Sequence, residues 1–215
     1  SALVLGLAAY TVGNAVSGDD SKGGAQPSAA HTTHHGSGSS PGTKPSRSAP
    51  SKLPGAWSGP VADVSADAIS SDCTAGPSRD SSGKKVTYVP ENAIDGKAQT
   101  AWRCSGSAVG EKLTIRLGGD TNIAEVGLVP GYAKTDPESG VDRYAENNRI
   151  TRVRWRLGGG VSFVQRLDPD PSSRAVQLIR VPPTVTDTIT LEILAVKDGP
   201  RDTTAISEID ILETA

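Results

Sequence analysis

The chain has 215 residues, of which 35% are hydrophobic and 4% aromatic, with 24 Gly and 15 Pro. That is enough for one ordinary domain plus a substantial tail, and too polar for a chain that is globular throughout. A formal net charge of −2 argues against nucleic acid as the main partner, since such binders carry a clear basic surplus.

No Met occurs in the chain, so Ser1 reads as the product of an upstream removal. Residues 1–16, SALVLGLAAYTVGNAV, are apolar, uncharged and rich in small residues. A full membrane span needs about 20 such residues, and the run reads as the C-terminal part of a transmembrane helix or signal anchor. The alternative is the apolar region of a cleaved signal peptide; either would export the remainder of the chain. Residues 17–56 shift to Ser, Gly, Pro, Ala and Thr, with Leu53 the only large aliphatic residue. Such a segment has nothing to bury and is expected to be a disordered linker. As a flexible coil of about 40 residues it spans roughly 35 Å, a tether that holds a domain off a membrane.

All three histidines, His31, His34 and His35, fall in the linker. HTTHH offers loose metal ligands but reads as solvated linker. The domain from residue 57 to 215 therefore has no histidine, which excludes Ser–His and Cys–His catalysis within it and any histidine-ligated zinc. Up to Lys52 the tether has Lys22, Lys44, Arg47 and Lys52 against Asp19 and Asp20, which leaves the domain mildly acidic.

Strand signals fill the domain. Val61, Val64 and Ile69 mark a first extended segment. LTIRL places Leu113, Ile115 and Leu117 on one face, and IAEVGLV continues with Ile123, Val126 and Leu128. TRVRWRL sets Val153, Trp155 and Leu157 against Arg152, Arg154 and Arg156, and Gly158–Gly160 makes a tight return into VSFVQRL. TITLEILAV alternates with Ile189, Leu191 and Ile193 inward, and ISEIDIL closes with Ile206, Ile209 and Ile211. No stretch of helical length shows a 3.6 period. The expectation is an all-β fold, an antiparallel β-sandwich of the jelly-roll kind. Cys73 and Cys104 are expected to pair in one disulfide if the domain is exported; two buried free thiols are the other reading.

NAIDGKAQTAW, Asn92 to Trp102, resembles the Asn-x-x-Asp-Gly…Thr-x-Trp signature of discoidin (coagulation factor 5/8 type C) domains, and AISEIDIL resembles their last strand. GYAKTDPESGVDRYAENNRI, Gly131 to Ile150, is similar to the NADase-type glycan-binding domain, a variant found on bacterial surface proteins behind a membrane segment and a linker. The resemblance covers roughly residues 60–213 and implies the galactose-binding-like jelly roll. It also implies a calcium site at Asp95, Thr100 and Glu208, which Lys97 opposes because a cation beside the site disfavours a second. The other reading of that turn is Asp95 accepting backbone N–H bonds, with Gly96 at positive φ. Trp102 is expected to pack inside, as is Trp155, while Trp57 reads as a boundary residue. The Arg152, Arg154 and Arg156 stripe reads as a solvated face paired with carboxylates, with an anionic wall polymer as the alternative.

Unstructured loops beyond about 12–15 residues are usually functional or disordered, which singles out Gly131–Ile150. It combines aromatic faces for sugar C–H patches with planar groups that bond hydroxyls in pairs. The candidate glycan contacts are Tyr132, Asp136, Asp142, Arg143, Tyr144, Asn147 and Arg149; the competing role for the polar members is internal bracing of the loop. The function expected is a non-catalytic carbohydrate-binding module outside the cell on a membrane tether, monomeric, with glycan or wall polymer as partner. The alternative is a protein- or wall-binding sensor ectodomain. An enzyme is the third reading, since Asp136, Glu138, Asp142 and Glu146 supply acids for glycoside hydrolysis, with nothing to rank them.

Overall fold

A computed structural model describes residues 42–215. The expected membrane segment, most of the linker and the three histidines lie outside them. Among the described residues no helix is long and apolar enough to cross a membrane.

The domain is all-β. In chain order its strands are β1 (Ser51–Lys52), β2 (Val61–Asp63), β3 (Ala66–Ser71), β4 (Ser78–Arg79), β5 (Lys85–Val86) and β6 (Trp102–Ser105). They continue with β7 (Lys112–Leu128), β8 (Asn147–Arg156), β9 (Ser162–Arg166), β10 (Gln177–Lys197), β11 (Arg201–Ile206) and β12 (Ile209–Thr214). One turn of helix, α1 (Arg143–Glu146), precedes β8. The path β2-β12-β7-β10-β8-β11-β6 runs through a ten-stranded sheet, and β4 and β5 form a separate hairpin. Most pairings are antiparallel; β1 on β10 and β11 on β8 are parallel.

The two longest strands organise the sheet. β7 and β10 pair from Gln177↔Leu128 to Glu192↔Lys112, with irregularities between Arg180 and Thr184 and between Thr186 and Thr188. Such bulges bend and twist a strand, and here they let one pair of strands serve both layers of a curled sheet. The N-terminal half of β7 takes β3 as its other neighbour and the C-terminal half takes β12. The alternation expected from sequence fills the core between: Leu113, Ile115, Ile123, Val126, Leu128, Val153, Trp155, Ile189, Leu191, Ile193 and Ile206 are fully buried. Trp102 is buried as well, and its indole N–H donates to the Cys73 carbonyl at 2.8 Å. Cys73 and Cys104 form a disulfide. Closing a loop of 31 residues contributes about 3–4 kcal/mol in the chain-entropy model. The GGG return joins β8 to β9 as expected, and Arg154 and Arg156 both pair with Glu192 at 3.0 Å, the paired face foreseen for that stripe.

The expected linker boundary needs correction. Composition assigns residues 43–56 to a disordered segment, yet they lie along the sandwich. Ser51 and Lys52 add a short parallel strand to β10, and the Ser48 and Leu53 amides donate to the carbonyls of Val176 and Arg180. Backbone pairing requires no apolar side chain, so composition could not reveal it. Two cations secure this strap. Lys44 Nζ lies 3.0 Å and Arg47 Nε 2.5 Å from Asp210, whose side chain is only 2% exposed; Arg47 also pairs with Asp63.

A chain shortened to begin at residue 57 is expected to be about 2–3 kcal/mol less stable than one beginning at residue 42. The shortened chain loses both cations that pair with Asp210, the β1 pairing and the Leu53 packing, and the figure is kept modest because both cations are part-exposed. Urea midpoints at pH 7 measure the difference; equal midpoints would mean that the strap merely rests on the sheet.

Candidate functional site

The Gly131–Ile150 excursion is built, not open. Its base is tied where the Ile150 amide donates to the Pro130 carbonyl at 2.8 Å, and Ser207 holds it from the end of β11 through the Gly131 carbonyl and the Ala133 amide. A bridge joins Thr135 and Asp142, α1 comes next, and Asn147 already begins β8. The loop is therefore shorter than its sequence suggested.

Three of the expected glycan contacts are braces. Tyr144 has no exposed surface; its hydroxyl donates to the Ser173 carbonyl at 2.8 Å, and a Cβ on Gly131 would meet its ring at 2.7 Å. Gly131 is thus the residue that lets the loop close over the ring. Asp142 caps α1 by accepting from the Tyr144 and Ala145 amides at 2.9 and 3.2 Å. Its other oxygen pairs with Arg174, whose guanidinium lies 5.6 Å from the Tyr144 ring. Arg149 is 5% exposed and donates to the carbonyls of Tyr144 and Ala145, the last turn of α1, and to Pro169. The charge on an arginine at a helix C-terminus is favourable there. A short loop that must end its own helix uses these groups to hold itself closed.

The other four, Tyr132, Asp136, Arg143 and Asn147, line a cavity of about 210 Å³. Asp136 is almost fully buried. Its Oδ1 accepts from the Ser81 hydroxyl at 2.5 Å and from the Glu138 and Ser139 amides, and its Oδ2 from Arg143 at 3.3 Å. These bonds, the Ser81 hydroxyl first, hold its carboxyl well below the usual range. Arg143 also meets Glu146 at 2.7 Å, and Glu146 in turn takes Arg201 at 3.0 Å, so the loop is clamped to β11. Asn147 donates to the Arg143 carbonyl at 2.6 Å and accepts from the Thr203 hydroxyl. Burial pushes the phenols of Tyr132 and Tyr144 up, so both stay neutral donors.

The rest of the wall was not foreseen. Arg79 and Asp80 come from the β4–β5 hairpin, Tyr88 from the segment after it, Arg103 from β6 and Lys134 from the loop. Arg103 lies over the Tyr88 ring at 4.2 Å, and the rings of Tyr88 and Tyr132 meet edge to face at 6.3 Å. Alternation with Trp102 and Cys104 would place Arg103 on the outer face of β6, so its burial beside Tyr88 is visible only in the fold.

The calcium set fares differently. Gly96 has φ 71°, as the turn requires, and Asp95 accepts from the Lys97 amide at 3.0 Å and the Thr100 hydroxyl at 2.8 Å. The Lys97 ammonium stands 3.6 Å from Asp95 Oδ2. Glu208 is buried with Oε2 unpartnered, and burial, with the charges of Asp210 and Asp95 nearby, pushes its pKa up to about 8. Calcium needs six to eight oxygens, with carboxylates ionised. Here Asp95 is occupied by its own turn and an ammonium, and burial pushes Glu208 away from the ionised form a calcium ion would need. Among the described residues no group of three or more His, Cys, Asp or Glu is disposed to hold a metal. The residues present do not fit a calcium ion.

The model of one family, the NAD glycohydrolase translocation F5/8 type C domain, matches residues 67–212. No curated protein matches the chain. Among solved structures, a truncated AlyQ with CBM32 and alginate lyase domains aligns with TM-score 0.50 and 16% identity over 73% of this chain and 34% of that one. The CBM32 of AlyQ in complex with 4,5-unsaturated mannuronic acid aligns with TM-score 0.48 and 16% identity, covering 70% and 97%. The family 32 CBM from C. perfringens NanJ in complex with galactose aligns with TM-score 0.47 and 18% identity, covering 68% and 93%. The first of these shares the fold.

Two outcomes separate braces from contacts and test the turn. Tyr144→Ala is expected to destabilise the domain by about 3–5 kcal/mol, as truncation of a buried aromatic does, measured by denaturant unfolding; a stable variant would return Tyr144 to the set of contacts. Melting temperature at pH 7 is expected to be unchanged by calcium or by EDTA. A rise with calcium would show that Glu208 ionises and Lys97 yields its place.

Proposed function

This chain belongs to the NAD glycohydrolase translocation F5/8 type C domain family, and we propose that its domain is a non-catalytic carbohydrate-binding module. One observation carries the reading: the loop's Tyr132, Asp136, Arg143 and Asn147 converge with side chains of the β4–β5 hairpin and β6 on one polar cavity. At about 210 Å³ it is smaller than the ~300 Å³ at which sites for drug-sized ligands begin, and suits a single sugar ring at a chain end. A solved structure that shares the fold is described as a truncated AlyQ with CBM32 and alginate lyase domains.

The chemistry favours binding over turnover. Asp80, Asp136 and Glu146 are the cavity's carboxylates, and each is already held, by Ser82 and backbone amides, by Ser81 and Arg143, and by Arg143 and Arg201. Glycoside hydrolysis needs one carboxylic acid kept protonated near neutrality, and Asp136 is shifted the opposite way. The Tyr88 and Tyr132 rings are 6% and 3% exposed, too little for a broad stacking platform. Recognition then rests on hydrogen bonds in a small site, for which micromolar to millimolar affinity is the expectation. Display outside the cell on a membrane tether completes the proposal, supported by the apolar run at residues 1–16 and the polar stretch after it.

On a glycan array the full chain is expected to retain a defined set of sugars. Arg79→Ala removes a cavity side chain whose hydrogen bond, among the described residues, is to its own hairpin at Gly83. It should weaken retention about tenfold, roughly 1.4 kcal/mol, at unchanged melting temperature. Retention of no glycan at any concentration would end the proposal.

A further inference from the structure

The ionisable groups of the cavity are unevenly matched. Five are basic, Arg79, Arg103, Lys134, Arg143 and Arg201, and three are acidic. Arg143 and Arg201 are neutralised by the acids they hold, and Lys134 lies 3.9 Å from Asp80. Arg103 differs from these. Its residue is 9% exposed, so its charge is largely removed from water. It makes no ion pair with any described carboxylate; the guanidinium donates from one Nη to the Thr203 hydroxyl at 3.2 Å and stacks on Tyr88. Its Nε–H has no hydrogen-bond partner among the described residues.

A buried cation without a counter-charge is unfavourable, and an unmade hydrogen bond adds to that. Both deficits vanish if a ligand oxygen bearing negative charge enters beside it. A planar guanidinium is suited to this because it bonds two oxygens of a carboxylate or sulfate in fixed geometry. A neutral hydroxyl would supply the acceptor but not the charge.

Resting on the carbohydrate-binding reading above, we propose that the cavity selects an anionic sugar, bearing a carboxylate or a sulfate ester, and that Arg103 is the residue that reads the charge. The backbone holds Arg103 in place. It sits in β6 opposite Ala205, its carbonyl accepts from the Ala75 amide at 2.7 Å, and the next residue is cross-linked to Cys73. The hydroxyls of the same sugar meet the polar groups of the loop that share the cavity wall.

The proposal is tested on an array that pairs uronate-, sialate- and sulfate-bearing glycans with their carboxyl-reduced or desulfated counterparts, probed with the full chain. At least one acidic member should be retained tenfold or more above its neutral partner, and which series responds identifies the anion. Arg103→Gln should bring the acidic member down to the neutral level. Equal retention of acidic and neutral partners overturns the charge reading and leaves carbohydrate binding standing, whereas retention of nothing overturns both. Should Arg103→Gln fail to fold, the wild-type chain decides by NMR. The Arg103 Nε–H resonance should shift on titration with the retained acidic glycan and not with its neutral partner, and an unmoved resonance overturns the proposal.

Discussion

The pairing of β7 with β10 is the constraint on which the rest of the domain depends. Each strand is long enough to belong to both layers, and the bulges in β10 bend the pair so that one ladder serves two faces. Ile115, Ile123, Ile189 and Ile193 meet across the core that results. The long excursion leaves β7 at Leu128 and returns as β8, which lies on the far side of β10, so the frame that closes the core also holds both ends of the loop.

Charge is placed on this frame in two different ways. In the loop, most ions are satisfied locally: Asp142 with the helix it caps, Arg149 with the carbonyls that helix leaves open, Glu146 between two arginines. Such closed groups give rigidity and little ligand affinity, because a group already bonded gains nothing by exchanging partners. At the other extreme, Arg103 and Glu208 each retain an unpartnered buried atom. Burial and the nearby Asp210 push Glu208 toward its neutral form, which lowers the cost of a buried charge. An arginine has no such option, since it cannot lose its proton in a protein. The asymmetry between a buried acid and a buried guanidinium thus distinguishes the turn at Asp95 from the cavity beside Arg103.

How far the sequence reveals this depends on which physical signal each residue leaves. Period-two alternation exposes Leu113, Ile115, Val153, Trp155 and Leu191 as core, because burial on one face writes itself directly into composition. Asp95-Gly96 announces its turn through the need for positive φ. Tyr144 is misread because a tyrosine in a polar loop has no periodic neighbours to indicate which way it points; only the approach of Gly131 reveals that it is covered. The strap at residues 43–56 leaves little trace because, apart from Leu53 packing on the core, its contacts are backbone and hydroxyl bonds and two cations reaching Asp210. The cavity is half legible. Its loop residues stand out by their mixture of tyrosine and paired polar groups, while Tyr88 and Arg103 come from segments far away in sequence, which only the fold brings together.

The bond between Cys73 and Cys104 places a covalent cross-link directly beside the wall of the cavity. Cys104 directly succeeds Arg103, and the Ala75 amide that holds the Arg103 carbonyl lies two residues from Cys73. The bond therefore joins the two segments whose backbones meet at Arg103, adding a covalent tie to the strand pairing that already holds that residue beside the cavity.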